Sequence, residues 1–379
     1  MSGLGARISG IGYELGEELV GNEVMSSIVE YNVARALGKK IENLSDAERA
    51  KRCTSPEWII KRTGIETRYF ADKKTATSDL AARAVLKAVA QSGRRVQDCG
   101  FILVATVTPD HLYSPPTASL VQEKVGLLVR DDLGLRDCLV LDAAAACSSF
   151  AAALRLGYSL ITSGGFNFGM VVGADKMSVT VNFADRAFCV LLGDAAAAVT
   201  LEAVPEAENS FWRGSNSFFS WSDGNKGENI IAKVGGSRSP TTPDVFINPF
   251  ERPDKLQQDG NAVFKDMVRL IPVPNKSSGT IIGAALAKAG VSLKEIDLIF
   301  FHQANSRILE VVQEKLEEAG FQGIIFNTIN RFGNTTSASI PLGMAVAFEE
   351  GVLRKGQKVL TCAFGGGYTA GTALFEWMI

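Results

Sequence analysis

The chain repeats one order of elements in its two halves, and this repeat constrains the fold more than any other feature. Residues 86–106, LKAVAQSGRRVQDCGFILVAT, resemble residues 286–303, LAKAGVSLKEIDLIFFHQ. Aligning Gly93 with Gly290 gives both segments a helix, a glycine stop, an acidic turn and a buried strand. Single α/β units often look alike, but here the order matches over several elements. The sequence therefore predicts a duplicated α/β domain.

Apolar runs alternate with helical patterns along the chain, which indicates an α/β fold with parallel or mixed sheets. The helical pattern is clearest over Thr77–Ser92, which Gly93 follows as a stop. We divide the chain into an N-terminal half, residues 1–204, and a C-terminal half, residues 205–379. The predicted strands cover residues 101–106, 138–147, 168–175, 187–194, 197–204, 297–303 and 358–367.

Two segments interrupt the repeat. Residues 24–54 are charged and have a helical pattern. Residues 205–257 are rich in Gly, Ser, Asn, Pro and aromatic residues, which predicts irregular structure. Such a segment is either a lid or interface flap over a site, or an insertion on the surface, and both interpretations stay open at this point.

Charge and composition exclude several classes of protein. Lys and Arg number 39 and Asp and Glu 41, so a broad basic field for nucleic acid is absent. No apolar run approaches the roughly 18 residues that span a membrane, and the first residues lack a secretory pattern. The six Cys are scattered, so we expect a cytoplasmic protein with reduced thiols. With two His, a His-rich metal site is excluded.

Cys147 follows a strand-like run and precedes a helical one, SSFAAALRLGYSLITSGG, which predicts a strand-to-helix turn. A thiol at a helix N-terminus lies near unpaired N–H groups, which favour the thiolate. The alternative is a buried structural cysteine, the usual state of a free Cys. Four other cysteines lie in apolar strand patterns and fit that alternative: Cys99, Cys138, Cys189 and Cys362.

Three further positions carry groups that could serve a site. His302 ends the run DLIFFH, and catalytic groups of α/β sheets gather at the carboxyl ends of strands; a structural His is the alternative. Asn334 lies in a turn before a helix, where it either caps the helix or donates into a site. Glycines 365–367 form a turn whose N–H groups could serve an oxyanion hole. His111 fits an ordinary loop histidine.

Five segments of the chain together resemble β-ketoacyl-acyl-carrier-protein synthase III. They occur in the order of that family and at about its spacing, and GNAVFK at 260–265 adds to the match. The resemblance implies the thiolase fold, five αβαβα layers built from two similar halves. The five segments are EWIIKRTGIETRYF (57–70), DAAAACSSF (142–150), FHQANSRIL (301–309), NRFGNTTSASIP (330–341) and AFGGGYTAGTALFEW (363–377).

The resemblance implies a catalytic set of Cys147, His302 and Asn334. Cys147 matches the nucleophile that takes the acyl group. The backbone N–H groups of Cys147 and Gly366 match the oxyanion hole of the family. His302 and Asn334 match the residues that hydrogen-bond the thioester carbonyl of the extender while it loses CO₂. The resemblance implies no metal and no redox cofactor.

Other matched positions imply contacts with substrate and carrier. Trp58, Arg62 and Arg186 match residues that hold the adenine end of coenzyme A. Asn305 matches a residue beside the pantetheine arm, and Phe264 one that lines the substrate tunnel. A weaker match assigns carrier-protein contacts to Arg307, Lys315 and Lys265, on a surface where four glutamates dilute the positive charge that an acidic carrier needs.

The function implied is that of a condensing acyltransferase. An acyl-CoA acylates Cys147, and decarboxylative Claisen condensation with a malonyl or β-ketoacyl thioester gives a β-ketoacyl product in fatty-acid or polyketide-like biosynthesis. Malonyl-acyl carrier protein or malonyl-CoA is the implied extender, and a homodimer is implied. Tyr113 lies where the family closes the partner's acyl pocket, and the altered sequence beside it predicts a starter other than acetyl. The alternative is a related acyltransferase that acylates a hydroxyl or amine without forming a C–C bond.

Overall fold

A computed structural model describes residues 3–130, 135, 137–246, 248–272 and 279–379 of the chain. Its strands are β1 (Leu4–Leu15), β2 (Glu18–Gly21), β3 (Thr67–Phe70), β4 (Phe101–Ala105), β5 (Leu139–Ala143), β6 (Phe168–Asp175), β7 (Ala195–Pro205), β8 (Phe218–Ser222), β9 (Ile230–Ile231), β10 (Gln257–Gln258), β11 (Leu298–Phe301), β12 (Ile324–Ile325), β13 (Lys358–Gly365) and β14 (Thr369–Glu376). Its α-helices are α1 (Asn22–Ala36), α2 (Asp46–Arg52), α3 (Pro56–Thr63), α4 (Thr77–Ser92), α5 (Thr117–Leu128), α6 (Ser149–Thr162), α7 (Gly260–Leu270), α8 (Ile281–Ala289), α9 (Ser306–Glu318), α10 (Ile329–Phe332) and α11 (Ser339–Glu349).

The described strands include two five-stranded sheets that have the same topology. The strand order is β5-β4-β6-β7-β1 in the first sheet and β12-β11-β13-β14-β8 in the second. In both sheets the first three strands run parallel to one another, and the last two pairings are antiparallel. The duplicated α/β domain predicted from the repeat is therefore confirmed. β7 ends at Pro205 and β8 begins at Phe218, while the division of the chain at residues 204 and 205 stays a prediction.

Helices separate and cover the two sheets in five layers. α6 and α11 lie between the sheets, where Phe150 and Leu154 share one apolar cluster with Ile340 and Met344. α4 and α5 cover the outer face of the first sheet, and α8 and α9 that of the second. Both faces of each sheet are therefore buried, which explains why the strands read as continuous apolar runs. No helix in the described part of the chain is long and apolar enough to cross a membrane.

The repeated turn has the same conformation in both halves. Gly93 and Gly290 end α4 and α8 with φ angles of 70° and 63°, which L-residues with a side chain rarely adopt. A single-turn 3₁₀-helix follows in each half, and Asp98 and Glu295 accept hydrogen bonds from the backbone N–H three residues earlier. β4 and β11 then begin in the same position relative to their helices.

The prediction of a strand over residues 187–194 is wrong. Cys189–Leu191 form a single-turn 3₁₀-helix instead. The carbonyl of Val190 accepts a hydrogen bond from Arg68 Nη2 at 2.9 Å, and that of Leu191 accepts one from the backbone N–H of Asn334 at 2.7 Å. These carbonyls are therefore paired with groups of other segments and not with a neighbouring strand.

The two segments outside the repeat also take defined positions. Residues 24–54 form α1 and α2, as the helical pattern predicts. Residues 205–257 are mostly irregular, but β8 pairs with β14 and extends the second sheet. Ile230, Ala232 and Leu256 from this segment line the large cavity described below, so the segment covers part of a cavity.

Candidate active site

One cavity of about 820 Å³ brings predicted residues of both halves together. Cys147 from the N-terminal half lines it with His302, Asn334 and Gly366 from the C-terminal half. Five other predicted residues also line it, namely Trp58, Arg62, Phe264, Asn305 and Arg307. Three predicted residues that the structure describes lie outside its lining, namely Arg186, Lys265 and Lys315.

Cys147 lies in the turn between β5 and α6, one residue before the helix cap. Ala146 immediately before it has φ = 49°, in the left-handed region that costs an alanine free energy. The end of β13 approaches so closely that a Cβ on Gly365 would come within 2.6 Å of Cys147 N. A glycine is therefore required at position 365, and it allows the two halves to meet at the thiol.

The pKa of the Cys147 thiol is raised far above that of an ordinary cysteine. Part of the residue is exposed to the cavity, yet burial within the protein raises its pKa to about 12, and the Asp175 carboxylate acts in the same direction. The backbone N–H groups of Cys147 and Gly366 lower the pKa by hydrogen bonding to the sulfur, but burial outweighs them. The thiolate expected from the helix N-terminus is therefore not the resting form, and the thiol needs a base.

His302 follows β11 directly and is buried, with 1% of its surface exposed. Burial lowers its pKa to about 3, so the ring is neutral at physiological pH. Nδ1 lies 2.8 Å from Ser339 Oγ, and Ser339 Oγ lies 2.8 Å from the carbonyl oxygen of Thr336. A hydroxyl has one hydrogen. If Ser339 donates it to Thr336, Nδ1 carries the ring proton and Nε2 is a base; if Ser339 donates to Nδ1, Nε2 is a donor.

Asn334 is held with its amide group in a fixed orientation. Its backbone N–H donates to the Leu191 carbonyl, and its Oδ1 accepts from the backbone N–H of Thr336 at 2.9 Å. Thr336 has φ = 54°, an outlying conformation for a β-branched residue. Because Thr336 N–H can only donate, Oδ1 is the acceptor, and Nδ2 has no protein acceptor among the described residues. A hydrogen-bond donor is thus left at the cavity.

The comparisons with known proteins agree with this geometry. Residues 141–217 match the family model described as 3-oxoacyl-[acyl-carrier-protein (ACP)] synthase III, and residues 286–377 match the model of its C terminal part. A β-ketoacyl-[acyl-carrier-protein] synthase III of Campylobacter fetus subsp. fetus (strain 82-40) is 38% identical over 324 residues, which cover 86% of this chain and 90% of the relative. The chain belongs to the β-ketoacyl-acyl-carrier-protein synthase III family.

Solved structures of this family have the same fold. The chain superposes on a synthase III of Thermus thermophilus with a TM-score of 0.76 at 30% identity, covering 98% of both chains. The synthase III of Pseudomonas aeruginosa PAO1 gives a TM-score of 0.77 at 28% identity, covering 99% of both. The predicted thiolase-like fold with duplicated halves is confirmed, as is the prediction of a condensing enzyme of the synthase III type.

The buried carboxylate of Asp175 connects several segments of the site, and sequence reasoning missed this residue. The buried carboxylate accepts six hydrogen bonds, from the backbone or hydroxyl groups of Thr106, Val107, Thr108 and Ser337. Burial raises its pKa, whereas these hydrogen bonds lower it. Asp175 thereby ties the ends of β4 and β6 to the segment that carries Asn334. The signal in the sequence was an Asp at the end of the apolar run FGMVVGAD.

Arg68 is a second residue whose role sequence reasoning missed. Its side chain is fully buried, and burial lowers its pKa to about 10. Nη1 donates to Asn22 Oδ1 at 2.8 Å, and Nη2 donates to the Val190 carbonyl. Arg68 therefore holds the 3₁₀-helix Cys189–Leu191 against the cavity. It lies within the motif TRYF, but nothing local indicates which carbonyl it binds.

The predicted coenzyme A contacts cluster around α3. Ser55 caps this helix by accepting from Trp58 N–H at 3.2 Å. The Cζ atoms of Arg62 and Arg186 lie 5.8 and 5.1 Å from the centroid of the Trp58 ring. Asn305 donates through Nδ2 to the Arg62 carbonyl at 3.4 Å. Arg186 and Trp58 share a second cavity of about 380 Å³ beside the first.

The three side chains predicted to contact a carrier protein differ in how accessible they are. Lys265 is exposed. Arg307 is exposed, although Nη2 donates to the Lys61 carbonyl at 2.8 Å. Lys315 Nζ donates to the Val268 carbonyl at 2.7 Å and is half-buried, so it is the least available of the three. In the described residues, no three His, Cys, Asp or Glu side chains are grouped to hold a metal ion.

Proposed function

We propose that the protein joins an acyl group to a malonyl-derived two-carbon unit by decarboxylative Claisen condensation. The observation that carries the proposal is the meeting of three groups in one cavity. They are the Cys147 thiol, the Gly366 N–H directed at its sulfur and the Asn334 amide donor. A nucleophile, an oxyanion donor and a second donor are the parts that an acylation followed by an enolate reaction requires.

In the first half-reaction, the Cys147 sulfur attacks the carbonyl carbon of an acyl thioester. Because its pKa is about 12, the thiol has to give its proton to a base, and His302 Nε2 is that base when Nδ1 holds the ring proton. The N–H groups of Cys147 and Gly366 stabilise the oxyanion. The carbon–sulfur bond to the carrier breaks, and the departing thiolate takes the proton from His302.

In the second half-reaction, a malonyl thioester loses CO₂ and leaves an enolate. Asn334 Nδ2 and His302 Nε2–H donate to the enolate oxygen, and its carbon attacks the acyl carbon on Cys147. A β-ketoacyl thioester leaves, and the Cys147 thiolate takes a proton from water. This step requires the other His302 tautomer, which Ser339 supports when it donates to Nδ1. Ser339 is therefore a positioning residue for both half-reactions.

The starter we propose is larger than acetyl. The cavity volume of about 820 Å³ lies in the upper part of the range for pockets that hold drug-sized ligands. Burial of apolar surface in this cavity would favour the binding of a longer acyl chain. The apolar residues that line the cavity include Val107, Leu112, Met177, Val179, Phe188, Val190, Leu191 and Leu256.

We further propose that the protein works as a homodimer in the cytoplasm. β5 is the edge strand of the first sheet, and it exposes Leu139 and Leu141, each 42% accessible. Leu112 and Tyr113 on a nearby loop are 75% and 84% exposed, and exposed apolar groups beside an open strand edge favour a second copy of the chain. The six unpaired cysteines fit a reducing compartment.

The extender carrier is proposed to be an acyl carrier protein or coenzyme A. Lys265 and Arg307 are the proposed contacts for an acidic carrier, because both are exposed. Four glutamates share helix α9 with Arg307, so we expect any carrier complex to be weak and sensitive to salt.

Separating the two half-reactions tests this proposal. We expect Asn334→Ala to keep acylation of Cys147 within about threefold. CO₂ release and β-ketoacyl product should fall by a hundredfold or more, because one oxyanion donor contributes about that factor. Asn330→Ala, a change at an exposed position of α10, is the matched control. If Asn334→Ala lowered neither step, transfer of the acyl group to a hydroxyl or amine would replace condensation as the function.

A further inference from the structure

Two cysteine thiols lie side by side outside the active-site cavity. The Sγ atoms of Cys99 and Cys138 are 3.9 Å apart, and neither residue lines the cavity that contains Cys147. A disulfide has an S–S distance of about 2.0 Å, so the two sulfurs would have to approach by about 1.9 Å. Rotation of one side chain about χ1 supplies a movement of this size, and Cys138, which is half-buried, is the less confined of the two.

The pairing of two strands fixes this contact. β4 and β5 are parallel neighbours, and Phe101 lies opposite Leu139 in their register. The Leu139 N–H also donates to the Gly100 carbonyl at 2.9 Å. Cys99 and Cys138 therefore lie at the same end of the two strands, where both pack against the apolar cluster that α4 and α5 cover. The sheet itself keeps the two thiols together.

The two thiols differ in access and in acidity. Cys99 is buried, with 5% of its surface exposed, whereas Cys138 is half-buried. The hydrogen bond between them lowers the pKa of Cys138, and the same contact, together with burial, raises the pKa of Cys99. Cys138 is therefore the thiol that ionises and reacts first, and Cys99 is placed to react with the product.

The pair is also separate from the catalytic nucleophile. Cys138 directly precedes β5, and Cys147 follows the other end of this strand. Burial raises the pKa of Cys147 to about 12, so very little of it is the thiolate that reacts with a peroxide at physiological pH. An oxidant should therefore react with the pair while Cys147 stays a thiol.

We propose that Cys99 and Cys138 are a redox modification site, at which a hydroperoxide closes a reversible disulfide between β4 and β5. The Cys138 sulfur attacks one oxygen of the peroxide, so that an S–O bond forms and the O–O bond breaks, and the other oxygen leaves and takes a proton. The Cys99 sulfur then attacks the Cys138 sulfur, which forms the S–S bond and breaks the S–O bond. The departing hydroxide takes the Cys99 proton and leaves as water. The two sulfurs together give two electrons to the peroxide, and a dithiol reductant returns them.

Such a disulfide ties the edge strand of the first sheet to its neighbour. Disulfides of cytoplasmic proteins are usually transient and serve catalysis or redox sensing, which fits a pair that is reduced at rest. Neither cysteine belongs to the active-site cavity, so this chemistry is independent of the proposed condensation.

The test exposes the protein to hydrogen peroxide and measures its intact mass, which should fall by two hydrogens. The protein is then unfolded, its remaining thiols are blocked with iodoacetamide, and its peptides are mapped by mass spectrometry without reduction. We expect the main product to be a linked pair of peptides that contain Cys99 and Cys138, and dithiothreitol should restore both thiols. Because the thiolate fraction governs the rate, the link should form at least about tenfold faster than Cys147 is oxidised.

Three variants separate the roles of the thiols. Cys138→Ser removes the reacting thiol, so the link should be lost and Cys99 should stay reduced. In Cys99→Ser, Cys138 should stop at the sulfenic acid, which dimedone labels. Cys53→Ser removes another half-buried thiol and is the matched control, in which the link should form as in the wild type.

Three outcomes in the wild type would overturn the inference. They are oxidation of Cys147 ahead of the pair, a link between two copies of the chain instead of within one, and a pair that stays reduced throughout. Persistence of the two-hydrogen loss in Cys138→Ser would also overturn it, because the disulfide would then lie elsewhere.

Discussion

The acidity of Cys147 gives a prediction that can be worked out in numbers. With a pKa of about 12, roughly 1 thiol in 10⁵ is ionised at pH 7, against about 3 in 100 for an ordinary cysteine of pKa about 8.5. His302, whose pKa is about 3, stays neutral above roughly pH 4 and offers no positive charge to stabilise a thiolate. Since iodoacetamide reacts with the thiolate, Cys147 should react about three thousandfold more slowly than glutathione, taken as an ordinary thiol, at pH 7.

Measuring alkylation of the Cys147 peptide by mass spectrometry between pH 6 and 10 checks this. A raised pKa means that the charged form appears only as the pH approaches 12, so the rate should increase tenfold per pH unit without a plateau. Glutathione, measured in the same buffers, should level off near its own pKa. A plateau for Cys147 below pH 9 would refute the reasoning, because the N–H groups of Cys147 and Gly366 would then outweigh burial.

Three further changes test the surroundings of the thiol. Asp175→Asn leaves one acceptor facing six donor contacts, so the free energy of unfolding in urea should fall by about 3–5 kcal/mol. Asp46→Asn, at an exposed position of α2, is the control and should change it by less than about 0.5 kcal/mol. A loss below about 1 kcal/mol in Asp175→Asn would contradict the network. Ser339→Ala removes the hydroxyl beside Nδ1 and leaves the Thr336 carbonyl as the partner of His302, so Nδ1 keeps the ring proton and Nε2 stays a base. Condensation should therefore fall about tenfold more than acylation. Equal losses in the two half-reactions would argue against control by the His302 tautomer. Leu191→Trp fills the cavity and should shift the preferred starter to shorter chains in a panel of acyl thioesters, whereas an unchanged preference would show that the acyl chain lies elsewhere.

The repeated order of elements was enough to predict the two halves of the fold. The helix Thr77–Ser92 and the strand over residues 168–175 have the bounds that their patterns indicate. The apolar run at 187–194 led to the wrong prediction of a strand, because a buried strand and a buried 3₁₀-turn have the same composition. Which of the two forms depends on Arg68 and Asn334, whose hydrogen bonds come from distant parts of the chain.

For the site, too, some properties follow from the local sequence and others from distant parts of the chain. The motifs predicted that Cys147, His302 and Asn334 occur together, and one cavity contains all three. The acidity of the thiol could not be predicted, because the local N–H groups and the burial produced by the whole fold have opposite effects. The position of Arg186 was equally hidden, since the carbonyls of Ala50 and Cys53, to which its guanidinium donates, lie more than a hundred residues earlier in the chain.

The most direct test of the central claim is the mass of the intact protein after exposure to a panel of acyl thioesters. The account predicts that the mass increases by one acyl group, that chains longer than acetyl give the highest yield, and that Cys147→Ala abolishes the adduct. Cys53→Ala, which removes a half-buried thiol outside the cavity lining, should keep the adduct. An adduct that persists in Cys147→Ala, or no adduct with any chain length, would contradict the account.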